Sequence, residues 1–402
     1  MQPRVPARRR SYLHPLALAL LVMLTSQCAS PEAQERIREA AQPAVLHVGA
    51  ARELKRPSAA AKVARDGSII EIDAGVYAGD AAVWRQSRLT IRGVGGRAHL
   101  RADGAEAEGK AIWVVKGRDT TIENVEFSGA SVSDQNGAGI RLEGPGLTVR
   151  NCYFHDNENG ILTGPNPASD VVIEHSEFAK NGLGDGRTHN MYIGNVRSFT
   201  LLYSYVHHAV VGHNVKSRAA KNYVAYNRIA DESDGRSSYD VEFPDGGLSF
   251  VIGNVIHKGP AAENSTVVSY GAESLGHDLN ELYFVNNTVV NELPGGRFLF
   301  VKAGTPAARI VNNVFSGRGE VLVGPGSLEN NVRAARSDFV DAEHFDYRLR
   351  AGSVAIGRGL EPGSAWGMDL RPTAEYVHRA QMRQRSGSGK LDVGALEYRG
   401  ER

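Results

Sequence analysis

The chain has 402 residues, 42% hydrophobic and 23% charged, with 45 Gly and only 16 Pro; this balance excludes a disordered chain and is ample for a large core. Lys plus Arg number 46 and Asp plus Glu 45, a net charge of +1, which excludes recognition of nucleic acid through overall basic charge. Any electrostatic recognition must come from a local cluster.

In chain order, residues 1–30 read as a signal peptide. Arg8-Arg9-Arg10 is a basic start, and Pro15 to Leu24 is an apolar run. That run is shorter than the roughly 20 apolar residues a spanning helix needs, so no stable membrane insertion is expected. Arg9-Arg10-Ser11-Tyr12-Leu13 is similar to a twin-arginine signal, and the expected location is periplasmic or extracellular. Cys28 follows Leu24-Thr25-Ser26-Gln27, with Gln27 where a lipoprotein box carries a small residue; anchoring through Cys28 is the second outcome. Cleavage beyond Cys28 leaves Cys152 as a lone, buried and inert thiol, with no internal disulfide. Residues 31–60 form the expected N-terminal cap, with Glu32 to Ala41 patterned as an amphipathic helix.

Self-similarity decides the fold class. Ile122 to Phe127, Val149 to Phe154, Ile173 to Phe178, Leu201 to Val206, Val224 to Ile229, Val251 to Ile256, Phe284 to Val289 and Ile310 to Phe315 repeat one pattern at spacings of 23 to 33 residues. Each copy begins and ends on a branched or aromatic residue. The fourth position is compact or Asn: Val125, Cys152, Ser176, Ser204, Asn227, Asn254, Asn287 and Asn313. The copies read as strands, and no amphipathic helix separates them, which excludes βαβ units. Rungs of about 25 residues stacked roughly 4.8 Å apart fit best, with Asn forming an interior ladder. The expected fold is all-β, a single-stranded parallel β-helix over residues 61–335, closed by residues 336–402, and monomeric.

Gly67 to Tyr77, Asp346 to Leu349, Ala355-Ile356 and Leu391 to Glu397 resemble the opening and closing segments of secreted β-helix proteins of the pectate-lyase type. That resemblance implies a right-handed coil and a substrate laid along one stacked sheet.

The strand before each repeat copy supplies that sheet. These strands are Gly139 to Glu143, Gly160 to Thr163, Asn190 to Ile193, His213 to Lys216, Tyr239 to Phe243 and Thr266 to Ser269. Alternation sends Ile140, Leu142, Met191, Ile193, Val215, Val241 and Phe243 inward, and Arg141, Glu143, Asn190, Tyr192, Asn214, Lys216, Asp240 and Glu242 outward. In-register rungs then put Tyr192, Lys216 and Glu242 side by side. His189, His213, Arg218 and Asp245 lie close in sequence, and Tyr192 and Tyr270 offer rings for sugars to stack on. The plain alternative is a surface Lys–Glu pair across rungs, worth ~0.2–1 kcal/mol.

This set suits an acidic polysaccharide. β-Elimination from a uronic acid removes the proton at C5, neutralises the neighbouring carboxylate and protonates the leaving oxygen. Lys216 and His189 are candidate bases and Tyr192 a candidate proton donor, although an adjacent Glu242 favours the ammonium form of a lysine. Calcium held by Asp240 and Glu242 would ease that conflict. Asn214-Val215-Lys216-Ser217 with Asn222-Tyr223 resembles the strand that carries the catalytic lysine in polysaccharide lyase family six, the chondroitinase B and alginate lyase group. The resemblance implies Lys216 as base. That family has an arginine on the next rung where this chain has Asp240 and Glu242, and carboxylates before the lysine where this chain has Val210 to His213. Mannuronan epimerases share the proton abstraction, but their Asp-Pro-His-Asp signature is missing. Two further readings stand beside the lyase: a glycoside hydrolase using Asp240 and Glu242 as a pair of carboxyls, and a polysaccharide-binding protein without turnover.

Overall fold

The computed structural model describes residues 43–386 and 389–400. The segments expected as signal peptide and amphipathic helix, residues 1–30 and Glu32 to Ala41, and Cys28 with them, lie outside the described residues. Val45–Val48 pairs in parallel with Ile69–Ile72, so the coil starts one strand before the Gly67 to Tyr77 segment. Between them the helix Pro57–Val63 begins on proline, whose missing N–H costs nothing at a first helical turn, and buries Pro57, Ala60 and Ala61.

From there the chain is a parallel β-solenoid. One face, here the groove face, is a ten-stranded parallel sheet running from Ala82–Trp84 to Glu320–Val323. The other walls merge into a 21-stranded sheet that wraps a corner. The repeat copies lie on this corner and are not single strands. In the first copy, strand Thr120–Glu123 ends at Asn124, whose φ is 55°, and Val125–Ser128 leaves in a new direction. Asn151, His175, Tyr203, Tyr226, Asn286 and Asn312 take the same left-handed conformation in later copies. Asn tolerates that region well, and one such residue per rung is enough to bend the sheet.

The fourth position follows the bend and points inward. Asn227 Nδ2 donates to Asn254 Oδ1 at 2.9 Å, Asn254 to Asn287 at 3.0 Å, Asn287 to Asn313 at 3.0 Å and Asn313 to Asn331 at 2.9 Å. Each amide also closes backbone groups exposed by the corner, as Asn254 Nδ2 does with Val224 O at 2.8 Å. Beside the ladder, Phe127, Phe154 and Phe178 stack at 4.9 and 4.7 Å, the rung spacing itself. Cys152 is fully buried there, and burial pushes its thiol up to about 12.

The C-terminal residues fold back along the wall. Asn286 Nδ2 donates to Asp392 O and Ala395 N to Thr288 Oγ1, while Arg379 pairs with Glu177 far up the coil. Among the described residues, no helix is long and apolar enough to cross a membrane.

Candidate active site

On the groove face Tyr192 pairs with Lys216, and Lys216 with Glu242. Their neighbours Met191, Ile193, Val215, Val241 and Phe243 are completely buried, so the three side chains emerge as one row across consecutive rungs. Lys216 Nζ lies 3.3 Å from Glu242 Oε2 and 3.7 Å from Glu273 Oε1, and 5.7 Å from the centre of the Tyr192 ring. Arg218, one residue past the lysine strand, donates Nε–H to Tyr192 Oη at 2.7 Å. Its other nitrogens reach Asp245 Oδ2 at 2.9 Å and Glu273 Oε2 at 2.7 Å.

Burial alone would raise the Glu242 carboxyl, but His213 and Lys216 beside it hold it below the usual carboxylate range. His213 Nε2 is 3.0 Å from Glu242 Oε2. Neither contact has hydrogen-bond alignment, so Glu242 Oε2 keeps a free lone pair in a nearly closed site. Asp245 is likewise held low: burial opposes ionisation, and Arg218 and Ser274 outweigh it.

His189 and His213 are buried and stacked, centroids 4.5 Å apart. Burial, then the neighbouring His213, Lys216 and Arg218, hold His189 well below its ordinary value. Its Nδ1 already accepts the His213 N–H at 3.0 Å. The neutral ring therefore carries its proton on Nε2 and offers a donor, which removes His189 as a candidate base.

Other expected site residues lie elsewhere. Asp240 is fully buried. It ends a second interior ladder, in which Asn181 donates to Asn190 at 2.8 Å, Asn190 to Asn214 at 2.8 Å and Asn214 to Asp240 Oδ1 at 3.1 Å. Lys258 Nζ, itself fully buried, sits 3.0 Å from Asp240 Oδ2. Burial is the chief reason the Asp240 carboxyl is pushed up to about 7. Asn190, Asn214 and Asp240 each precede the first residue of a groove strand, so the alternation rule was carried one residue too far. Asp240 and Glu242 have separate partners and do not converge. Asp240, sealed from solvent against Lys258, reaches neither a substrate nor a surface-bound calcium ion. Tyr270 pairs in register with Phe243 and points into the core, donating to Gly247 O at 2.6 Å, so it stacks on no sugar. Arg141 shares the outward row but is separated from Tyr192 by the Leu162 rung.

The family description "Right handed beta helix region" matches residues 74–333. The chain belongs to that family. No curated protein matches it by sequence. The crystal structure of pectate lyase Pel9A is similar, with a TM-score of 0.61 at 16% identity, covering 89% of this chain and 97% of that one. An alginate lyase from Paenibacillus sp. str. FPU-7 is similar with a TM-score of 0.53 at 16% identity, covering 67% of this chain and 96% of that one. At such identities the likeness establishes the coil.

Within this right-handed β-helix the residue that sequence reasoning missed is Glu273. It stands on the loop after strand Thr266–Tyr270 and carries no periodic signal, yet it bridges Lys216 and Arg218. A cleft of about 510 Å³, lined by Arg228, Glu232, Phe345, Tyr347 and His378, belongs to another wall, where the C-terminal residues cover the sheet.

Proposed function

We propose that the protein is an exported polysaccharide lyase that cleaves a uronic-acid polymer by β-elimination. The observation that carries this reading is the Arg218–Tyr192 hydrogen bond beside Lys216 on the groove sheet. Tyr192 is the proton carrier: entering as the phenolate, its own proton released to solvent and Arg218 as counter-charge, it takes the C5 proton, C4=C5 forms as the C4–O bond breaks, and that proton passes to the leaving oxygen, which regenerates the phenolate. Arg218, at 2.7 Å, offsets the charge on the phenol oxygen during that exchange. Lys216 and Arg218 bind the uronate carboxylate and share the charge that develops on it. Two carboxylates around Nζ employ Lys216 as a cation, and this supports a clamp over the base role implied by the family-six resemblance.

Glu273 supports the same reading. Its carboxylate is half exposed and spans both cations as a sugar carboxylate would. Substrate takes its place, and the loop yields. The basic and apolar residues 8–24 support export, and the likeness to a pectate lyase and an alginate lyase supports polysaccharide as substrate.

The test is incubation with alginate, polygalacturonate and glycosaminoglycans, following absorbance of the unsaturated uronate. Rising absorbance on one polymer supports elimination. New reducing ends without absorbance reassign the site to hydrolysis.

A further inference from the structure

Away from the groove, His99, Glu126 and His155 come together on three consecutive rungs. His99 pairs in register with Glu126, and His155 lies diagonally opposite, paired with Ser128. Glu126 Oε1 is 3.5 Å from His99 Nε2 and 3.1 Å from His155 Nε2, and one ligand atom from each residue lies within 4.8 Å of the others. We propose that these three side chains bind a divalent transition-metal ion of the zinc type, with two imidazoles and one carboxylate as ligands.

The spacing fits that chemistry. Zinc takes nitrogen and oxygen ligands at about 2.0–2.2 Å, and tetrahedral angles then separate the ligand atoms by roughly 3.3 Å. The neighbouring residues argue the same way. His155 Nδ1 is 2.7 Å from Asp156 Oδ2, an acceptor-only group at neutral pH. A neutral imidazole has one N–H; given to Asp156, it leaves a lone pair on Nε2 facing a carboxylate oxygen. A cation between them resolves the conflict, and a carboxylate on the far nitrogen is the usual outer support of a metal-bound histidine. Ser128 Oγ, 2.7 Å from His99 Nε2, must give up that contact to the metal.

Comparison along the same wall strengthens the assignment. Glu177 meets His207 and Arg379, Glu292 meets His257 and Arg336, and Glu232 meets Arg228. Each has a fixed guanidinium. Among the described residues Glu126 meets only the two histidines. Imidazole with carboxylate selects zinc-like ions over calcium or magnesium, which take oxygen donors.

The test uses untagged full-length protein stripped with EDTA. Calorimetric titration with Zn²⁺ should give one site per chain and a raised melting temperature, and Co²⁺ should develop a visible ligand-field band. Calcium should do neither. Glu126→Gln and His155→Gln should each abolish the band and weaken binding at least tenfold, while His207→Gln retains both. Melting of the variants in EDTA close to the parent shows that the fold is kept; should one variant misfold, the other carries the comparison. Absence of zinc binding, or binding unchanged in both variants, overturns the proposal and leaves His155 as a bridge between Glu126 and Asp156.

Discussion

Arg218 donates Nε–H to Tyr192 Oη across 2.7 Å, so the phenol oxygen of the groove row faces a guanidinium whose other two arms are held by Asp245 and Glu273. A guanidinium fixed at three points cannot follow a moving partner; it holds one oxygen in one place. Tyr192→Phe removes that oxygen and leaves the ring. On the polymer identified by the absorbance assay, kcat should fall by roughly 10²–10⁴, the range for a positioned proton carrier, with KM little changed. Unchanged turnover in the Phe variant would end the role given to Tyr192.

Lys216→Arg separates two roles. A clamp needs a cation, which arginine supplies, whereas a guanidinium cannot act as a base at neutral pH. The clamp predicts that activity stays within about tenfold of the parent, while a catalytic base predicts a loss of at least ~10³-fold. Steady-state kcat/KM on the same polymer decides between them.

Glu273→Gln keeps the shape of the loop but removes the charge that competes with the substrate carboxylate. KM should fall several-fold while kcat holds, and the dependence of KM on salt should steepen as the two cations are freed. A raised KM would mean that Glu273 contributes to substrate binding.

The buried histidines set a pH limit. His189, His207 and His213 are all held below their ordinary value of 6.5, chiefly by burial. The unfolded chain therefore binds protons that the folded chain refuses, and stability falls as pH drops below about 6.5, by up to ~1.4 kcal/mol per pH unit for each group. Asp240 opposes this: its carboxyl is raised from 3.8 to about 7, so its contribution is present at low pH and lost as pH rises towards 7. Three groups outweigh one, and urea midpoints should decline from pH 7 to 5. Replacing His189 with Gln should flatten that slope, and an equal slope would show that His189 does not contribute.

Asn254→Ala cuts the ladder at its middle. Asn227 loses the acceptor of its backbone N–H and of its side chain, and Val224 O loses a donor. Orphaned buried groups cost ~1–3 kcal/mol each, so the variant should lose at least ~3 kcal/mol in denaturant unfolding. Asn331→Ala, at the ladder's half-buried end, should lose clearly less.

Much of this was legible before any coordinate. Recurrence of a six-residue pattern needs a stacked fold, and the compact or amide fourth position needs an interior neighbour like itself. Tyr270 was also legible: it lies two residues past Val268 on the same strand, and alternation from that valine sends it to the core. What misled was treating Asn190, Asn214 and Asp240 as strand residues. They sit one position before the strands begin, where turn geometry rather than pleat alternation aims the side chain.

Composition and repeat spacing alone determined the coil, its inward-facing residues and the adjacency of Tyr192, Lys216 and Glu242, because a stacked parallel sheet allows only one register for a buried face. Tertiary structure alone decided which polar residues are ladder and which are surface, and it brought Glu273 to Lys216 and Arg218 from a loop without period. The physical reason is that strand periodicity is a local property of the backbone. Where a turn points, and what a loop meets, depends on contacts between residues far apart in the chain.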